Sequence, residues 1–341
     1  MHTISCSEIA ATITRRYGVT GRDGRRQSVF LWGPPGTGKS AAVDAAGAAL
    51  DLPVWTHTAS IMDITDGKGI PIPDLAAGLT RFLPPADLLH DTPGILFLDE
   101  LCQAPASVMA TLSRIIYSGR IGDHALDPGI MIVAASNRQS DRAGVNRLPT
   151  QLANRFSHYS AEPDWQGFCD RIGPDIGISP WITAYLRYAP DDLYRFDPAS
   201  AELAWPSLRS WEAVSDTLAA NLDPVDQAAD IAATIGAGVA AKFCGFLRLA
   251  ADLPDLDQAI AHPATCPIPT TLDAQYASLA GLHGRLDPDT WAPILQYVER
   301  YSVPAFSETL AAEALRRRPE LAQSSAFATW ACAHADIIRG F

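Results

Sequence analysis

Gly33, Gly36, Gly38, Lys39 and Ser40 stand at the spacing G-x-x-x-x-G-K-S in the run Gly33-Pro34-Pro35-Gly36-Thr37-Gly38-Lys39-Ser40. Glycines let backbone N–H groups turn inward around anionic oxygens, and the start of a following helix adds a positive dipole end. This is the Walker A pattern for a nucleoside triphosphate. In it Lys39 neutralises the β- and γ-phosphates and Ser40 offers its hydroxyl to Mg²⁺. About sixty residues on, four apolar residues end in Asp99-Glu100. Asp99 would hold Mg²⁺, mostly through water, near Ser40. Glu100 would orient and deprotonate an attacking water. Asn137 ends another apolar run, where it would touch the γ-phosphate or the water, or cap a turn. Arg155 is either a surface arginine or an arginine finger aimed at a neighbouring subunit's phosphate, with Arg142 and Arg147 as rivals. Arg209 either packs through its stem or reaches back to the nucleotide.

Such residues act only if the chain holds them at one place. The run Ser28–Trp32 is apolar and suits a buried strand, and an alanine-rich helix follows the glycine loop to about residue 50. Residues 53–57 read as a second strand, so strand, helix and strand open a βαβ unit and a parallel sheet. Residues 94–100 and 130–137 read as further buried strands, whose carboxyl ends are where ligands sit. Residues 105–117 read as a helix, 119–129 as a hairpin, and 148–156 as a short helix leading into a strand over 156–159. Residues 4–17 read as one short helix, and 18–27 as a Gly/Arg-rich loop. Residues 57–93 read as irregular, a long insert of the kind that is usually functional. From Pro163 onward the periodicity is helical, with runs over 164–169, 180–188, 205–222, 225–246, 255–262, 276–283, 289–303, 306–315 and 322–338.

Composition narrows the classes. The 341 residues carry a net charge of −12 and are 48% hydrophobic and 19% charged. The acidic balance opposes broad affinity for nucleic acid backbone, so a nucleic acid partner is not expected. No apolar run reaches membrane-spanning length, and the first residues lack a signal-peptide pattern, so a cytoplasmic protein is expected. The six cysteines are scattered without a C-x-x-C, which predicts reduced thiols and neither a disulfide framework nor a zinc site.

The order of these segments resembles an AAA+ ATPase. Leu98-Asp99-Glu100-Leu101-Cys102-Gln103-Ala104-Pro105 is similar to the MoxR branch of the dynein-related AAA group, which typically shows Leu-Asp-Glu-(Ile/Leu)-x-x-Ala-Pro. Gln151-Leu152-Ala153-Asn154-Arg155-Phe156 is similar to the branch's Leu-x-x-Arg-Phe ending, and residues 66–73 to its insert after the second strand. The resemblance implies an α/β P-loop NTPase fold of the AAA+ type, a parallel sheet flanked by helices, over residues 1–160. An all-α lid over 161–250 would follow; the resemblance ends there, and the helical runs beyond it, which match no motif of the family, read as a helical C-terminal extension over 251–341. The resemblance implies that Asn137 is sensor 1, Arg155 the finger acting in trans and Arg209 sensor 2. There Ser207-Leu208-Arg209 departs from the branch's Ser-Pro-Arg. It further implies ATP and Mg²⁺ as ligands, a homo-hexameric ring, and chaperone-like remodelling of a protein partner, frequently one with a von Willebrand factor A domain. Two other classes remain beside this ATP hydrolase: a nucleotide-gated assembly module, which the intact Glu100 disfavours, and a nucleic-acid motor or GTPase. The acidic charge and the absence of an N-K-x-D guanine motif count against that last class.

Overall fold

The computed structural model describes residues 1–141, 146–220, 222–251 and 255–334. Its centre is a six-stranded, all-parallel sheet of β1 (His2–Ser5), β2 (Ser28–Trp32), β3 (Val54–Thr58), β6 (Gly94–Asp99), β9 (Ile130–Ser136) and β10 (Phe156–Glu162), in the order β1-β10-β2-β9-β6-β3. Strands β2, β6 and β9 lie inside the sheet and are covered on both faces. That is why their sequences run continuously apolar instead of alternating. Helices α1 (Ile9–Tyr17), α2 (Lys39–Leu50) and α4 (Ala106–Ser118) flank the sheet. Val108, Met109, Leu112, Ile115 and Ile116 of α4 pack into the same core as Phe30, Leu96, Leu98 and Ile132. All strands being parallel, β2, β6 and β9 deliver their carboxyl ends, with the P-loop, Asp99 and Asn137, to one rim.

Several local expectations are corrected. Residues 4–17 are not one helix: residues 2–5 form β1, a parallel edge strand beside β10, and a 3-10 turn over Cys6–Glu8 leads into α1. The break comes from Ser5, whose backbone N–H donates to Glu8 Oε2 at 2.9 Å in a capping box. The insert is not irregular. Asp63 caps α3 (Ile64–Lys68) through Thr65 N, and an antiparallel hairpin pairs β4 (Ile70–Asp74) with β5 (Leu79–Leu83). Pro71 and Pro73 alternate along β4, so the N–H groups they lack fall on one side of a strand with a single partner. The hairpin over 119–129 is a short one, β7 (Arg120–Ile121) on β8 (His124–Ala125), and the short helix before β10 is α5 (Thr150–Ala153).

The chain divides into two compact units, Met1–Asp164 with Phe196–Ala201, and Trp165–Arg195 with Glu202–Phe341. The second is helical: α6 (Trp165–Gly167), α7 (Gly173–Asp175), α8 (Pro180–Tyr188), α9 (Leu208–Ala219), α10 (Pro224–Ile235), α11 (Ala237–Ala251), α12 (Leu256–Ala261), α13 (Leu272–His283), α14 (Trp291–Val298), α15 (Ala305–Arg317) and α16 (Ser325–Ala333). The run over 225–246 is two helices, broken at Gly236 with φ of 81°, a left-handed backbone that favours glycine. The run from residue 205 begins as helix only at Leu208, after Ser207 caps it by accepting from Ser210 N. The last expected helix, over 322–338, is α16 within the described residues, and 335–338 lie outside them. Among the described residues no helix is long and apolar enough to cross a membrane.

Candidate functional site

The glycine loop joins β2 to α2. Gly36 and Gly38 have φ of 76° and 75°, conformations a side chain resists, and Gly38 caps α2 from the left-handed region. Gly33 is required for a different reason: a Cβ there would lie 2.8 Å from the carbonyl oxygen of Ala161 on β10. Thr37 Oγ1 donates to Pro34 O at 3.0 Å and tightens the turn. The first N–H groups of α2 have no intrahelical acceptor and point into this cradle.

Lys39, only 8% exposed, folds back over the loop. Its Nζ donates to Gly33 O at 2.8 Å and Pro34 O at 2.9 Å. Burial pulls the ammonium down to about 8, with Asp99 opposing. Ser40 Oγ donates to Asp99 Oδ2 at 2.8 Å, so the hydroxyl after the lysine and the acid at the end of β6 meet directly. The other Asp99 oxygen accepts from Glu100 N at 2.9 Å. Cys6 is buried by the loop, and burial pushes its thiol up to about 12, against the pull of Lys39, so it stays a neutral packing group.

Glu100 sits at φ 54°, ψ 33°, left-handed for a residue with a side chain. Such a conformation costs on the order of 1–2 kcal/mol and survives only where the surroundings impose it. Here the chain leaves β6, turns at Glu100 and enters a 3-10 turn over Leu101–Gln103 whose Leu101 and Cys102 are buried. Ser60, just past β3 on the neighbouring strand, donates its hydroxyl to Glu100 Oε2.

Asn137 follows the last residue of β9, half-buried, at the same rim. Arg138, after it, donates to Ser160 Oγ at 2.8 Å, Ala161 O at 3.0 Å and Glu162 Oε1 at 2.5 Å, tying β9 to β10 beside Gly33. Arg155 lies at the head of β10, exposed, with its guanidinium 3.9 Å from the centre of the Tyr117 ring. Arg147 is also exposed, and Arg142 lies outside the described residues. Arg209 is in the first turn of α9, exposed, in the helical unit. Sequence reasoning passed over Ser60, Arg138 and Tyr117. None sits in a motif, and Ser60 becomes visible only once β3 is known to pair with β6.

The residues present fit the two ligands the loop implies. A cradle of positive-φ glycines, a helix start and a buried lysine answer to a triphosphate. Among the described residues no group of three or more His, Cys, Asp or Glu could hold a metal by itself. A hydroxyl and one carboxylate match the donor set of Mg²⁺ bound jointly with phosphates and water.

No curated protein matches the chain. Among solved structures, the Thermotoga maritima RuvB Holliday junction branch migration motor is similar at 17% identity and a TM-score of 0.37, with 81% of this chain and 79% of that chain covered. NtrX from Brucella abortus, in complex with ADP, is similar at 15% identity and a TM-score of 0.39, with 96% and 67% covered. Residues 28–156, which hold the glycine loop, Asp99, Glu100, Asn137 and Arg155, match the family model of the AAA domain (dynein-related subfamily).

Proposed function

We propose that this chain is an ATP hydrolase of the MoxR type that remodels or activates a protein partner. The observation that carries the chemistry is the meeting of Ser40 with Asp99 at 2.8 Å, beside Lys39 and one residue before Glu100. The glycine loop and α2 take the phosphates on backbone N–H groups, and Lys39 exchanges two neutral carbonyls for phosphate oxygens. Ser40 and Asp99 would hold Mg²⁺, which when bound offsets charge on the phosphates. Glu100 takes the proton of the attacking water. Its Oε2 is engaged by Ser60, and Oε1 accepts no hydrogen bond from the described residues. Asn137, which follows β9, would orient that water or the γ-phosphate through its amide. Arg155, exposed on its own subunit, is available to the triphosphate of a neighbour in a ring.

The finer assignments rest on the resemblance of residues 98–105 and 151–156 to the MoxR branch: a homo-hexamer, Arg209 as sensor 2, and a partner carrying a von Willebrand factor A domain. The insert supports a protein partner. Ile70, Leu75, Leu79 and Leu83 of the hairpin and Ile61 and Ile64 before it are all exposed, a concentration of apolar side chains on one excursion of the sheet unit. The decisive test is Glu100→Gln with ATP and Mg²⁺. It should bind ATP as tightly as wild type and lose about a hundredfold or more of its turnover. Unchanged turnover removes Glu100 from this role, and a wild-type protein that turns over no ATP removes the hydrolase reading. The ATP-locked Glu100→Gln protein is also the bait for the partner.

A further inference from the structure

The exposed guanidinium of Arg155 has a specific seat. It lies over the ring of Tyr117, 3.9 Å from the centroid, and Tyr117 is itself 62% exposed. An arginine at the surface samples many rotamers, and a group that must reach a phosphate on another molecule in one geometry loses that freedom on arrival. A flat ring beneath the guanidinium removes part of it beforehand, because cation–π attraction holds the planar group over the ring face.

The ring is held from behind. Tyr117 is in the last turn of α4, between Ile116, which is buried in the core, and the helix end at Ser118. Arg25 reaches in from the 18–27 loop and donates from Nη2 to Ile116 O at 2.9 Å and from Nη1 to Tyr117 O at 3.2 Å. A guanidinium on the last carbonyls of a helix satisfies free acceptors and opposes the negative dipole end. Gly119, at φ 63°, returns its N–H to Ile115 O at 2.7 Å and closes the helix. The backbone that carries Tyr117 is therefore pinned on the core side and at its end. The same helix follows directly on Glu100 and the turn after it.

We infer that Tyr117 is a positioning residue for Arg155, holding the finger over its own subunit in an orientation ready for the neighbour's phosphates. This rests on the reading of Arg155 as a finger acting in trans. Tyr117 touches neither ATP nor water in this scheme, so its loss should lower kcat and leave KM for ATP unchanged.

The test uses the full chain with ATP and Mg²⁺. Tyr117→Leu, which keeps an apolar cover on the helix end, should lower kcat roughly two- to fivefold, the scale of an exposed cation–π contact. Tyr117→Phe, which keeps the ring, should recover most of it. Mixing supplies the readout that a damaged fold would not move. Glu100→Gln subunits have an inactive site but an intact finger, so added to Tyr117→Leu subunits they should raise turnover per Tyr117→Leu site. Arg155→Ala, measured alongside, separates the two claims. If it turns over ATP at the wild-type rate, the finger reading falls and this inference falls with it. If Arg155→Ala is impaired while Tyr117→Leu matches wild type, or if Tyr117→Leu is impaired but not rescued by mixing, the finger reading stands and the role of Tyr117 is refuted.

Discussion

Charged side chains of the helical unit and those of the candidate site in the sheet unit are treated in opposite ways. In the helical unit they neutralise one another. Arg187 donates to Asp170 at 2.7 Å and to Glu313, and His283 Nε2 lies 2.5 Å from the other Glu313 oxygen. Asp192, almost wholly buried, accepts from Tyr185 Oη at 2.6 Å and pairs with Arg195 at 2.5 Å and Lys242 at 3.4 Å. In the sheet unit the groups proposed to meet a ligand have neutral partners. At the carboxyl rim of the sheet Lys39 rests on two carbonyls, Asp99 on a hydroxyl and an N–H, and Glu100 on a hydroxyl; at the opposite end of the sheet, before β10, Arg155 rests on an aromatic ring. A neutral partner satisfies a charged group without cancelling its charge, and a charged ligand displaces it easily. An opposite charge at hydrogen-bond distance adds a Coulomb attraction that a neutral partner lacks, so groups already in ion pairs are less available for exchange. On the proposed function, this rule would make Arg138, paired with Glu162 at the carboxyl rim, structural, and would make Lys39, Asp99, Glu100 and Arg155 the groups kept free for a ligand.

The largest effect expected from this contrast is in the helical unit. Burial alone would push the Glu313 carboxyl up, but His283 and then Arg187 overcome it and hold it at about 2. Among the described residues, Glu313→Gln leaves Arg187 buried with Asp170 alone as a carboxylate partner, and breaking such a pair costs about 3–5 kcal/mol. Denaturant unfolding should show that loss, while ATP turnover per folded molecule stays near wild type. The pH sign follows from the same shift. Folded Glu313 is below its ordinary 4.5, so its contribution is complete above that value and is lost as pH falls toward about 2. A loss under about 1 kcal/mol would show that these charges do not support one another, and the contrast would break on this side.

Lys39 should behave in the reverse way. Its burial places it at about 8 against an ordinary 10.5, which means that holding the ammonium there costs on the order of 3 kcal/mol. Its two hydrogen bonds return only part of that. Lys39→Met should therefore leave the nucleotide-free protein as stable as wild type or about 1 kcal/mol more stable. It should weaken ATP binding by about 1.5–3 kcal/mol or more, the scale of a hydrogen bond to a charged group. Thermal melts with and without ATP and Mg²⁺ read both at once. A Lys39→Met protein less stable than wild type would put Lys39 among the structural charges.

What could be read from the sequence follows the same division. Strands β2, β6 and β9 were legible because burial on both faces makes them continuous apolar runs, and the motif residues lie at strand ends by local spacing alone. The edge strand β1 is four residues with mixed burial, too short to show a period against the helix after it. The hairpin of the insert was hidden by its prolines, which argue against a strand unless one edge is unpaired. The break at Gly236 was hidden because an isolated glycine within a helical period is ordinarily tolerated. Ser60 and Tyr117 lie far in sequence from Glu100 and Arg155. Only the pairing of β3 with β6 and the packing of α4 bring them together.

The smallest expected effect is also the most specific to Lys39. The free protein holds its proton with a value of about 8, set by burial and opposed by Asp99. A bound triphosphate faces that ammonium with negative charge and raises the value. Above about pH 8 the free protein has lost the proton that the complex keeps, so binding takes up a proton there and affinity falls as pH rises. The slope approaches about tenfold per pH unit, and below about pH 7 it vanishes, since Lys39 is then charged in both states. Titration calorimetry in buffers of different ionisation heats should detect the uptake at about pH 9, and Lys39→Met should abolish it. Affinity that stays flat through this range would mean that the phosphates do not meet the charge of Lys39, and the neutral-partner rule would lose its central residue.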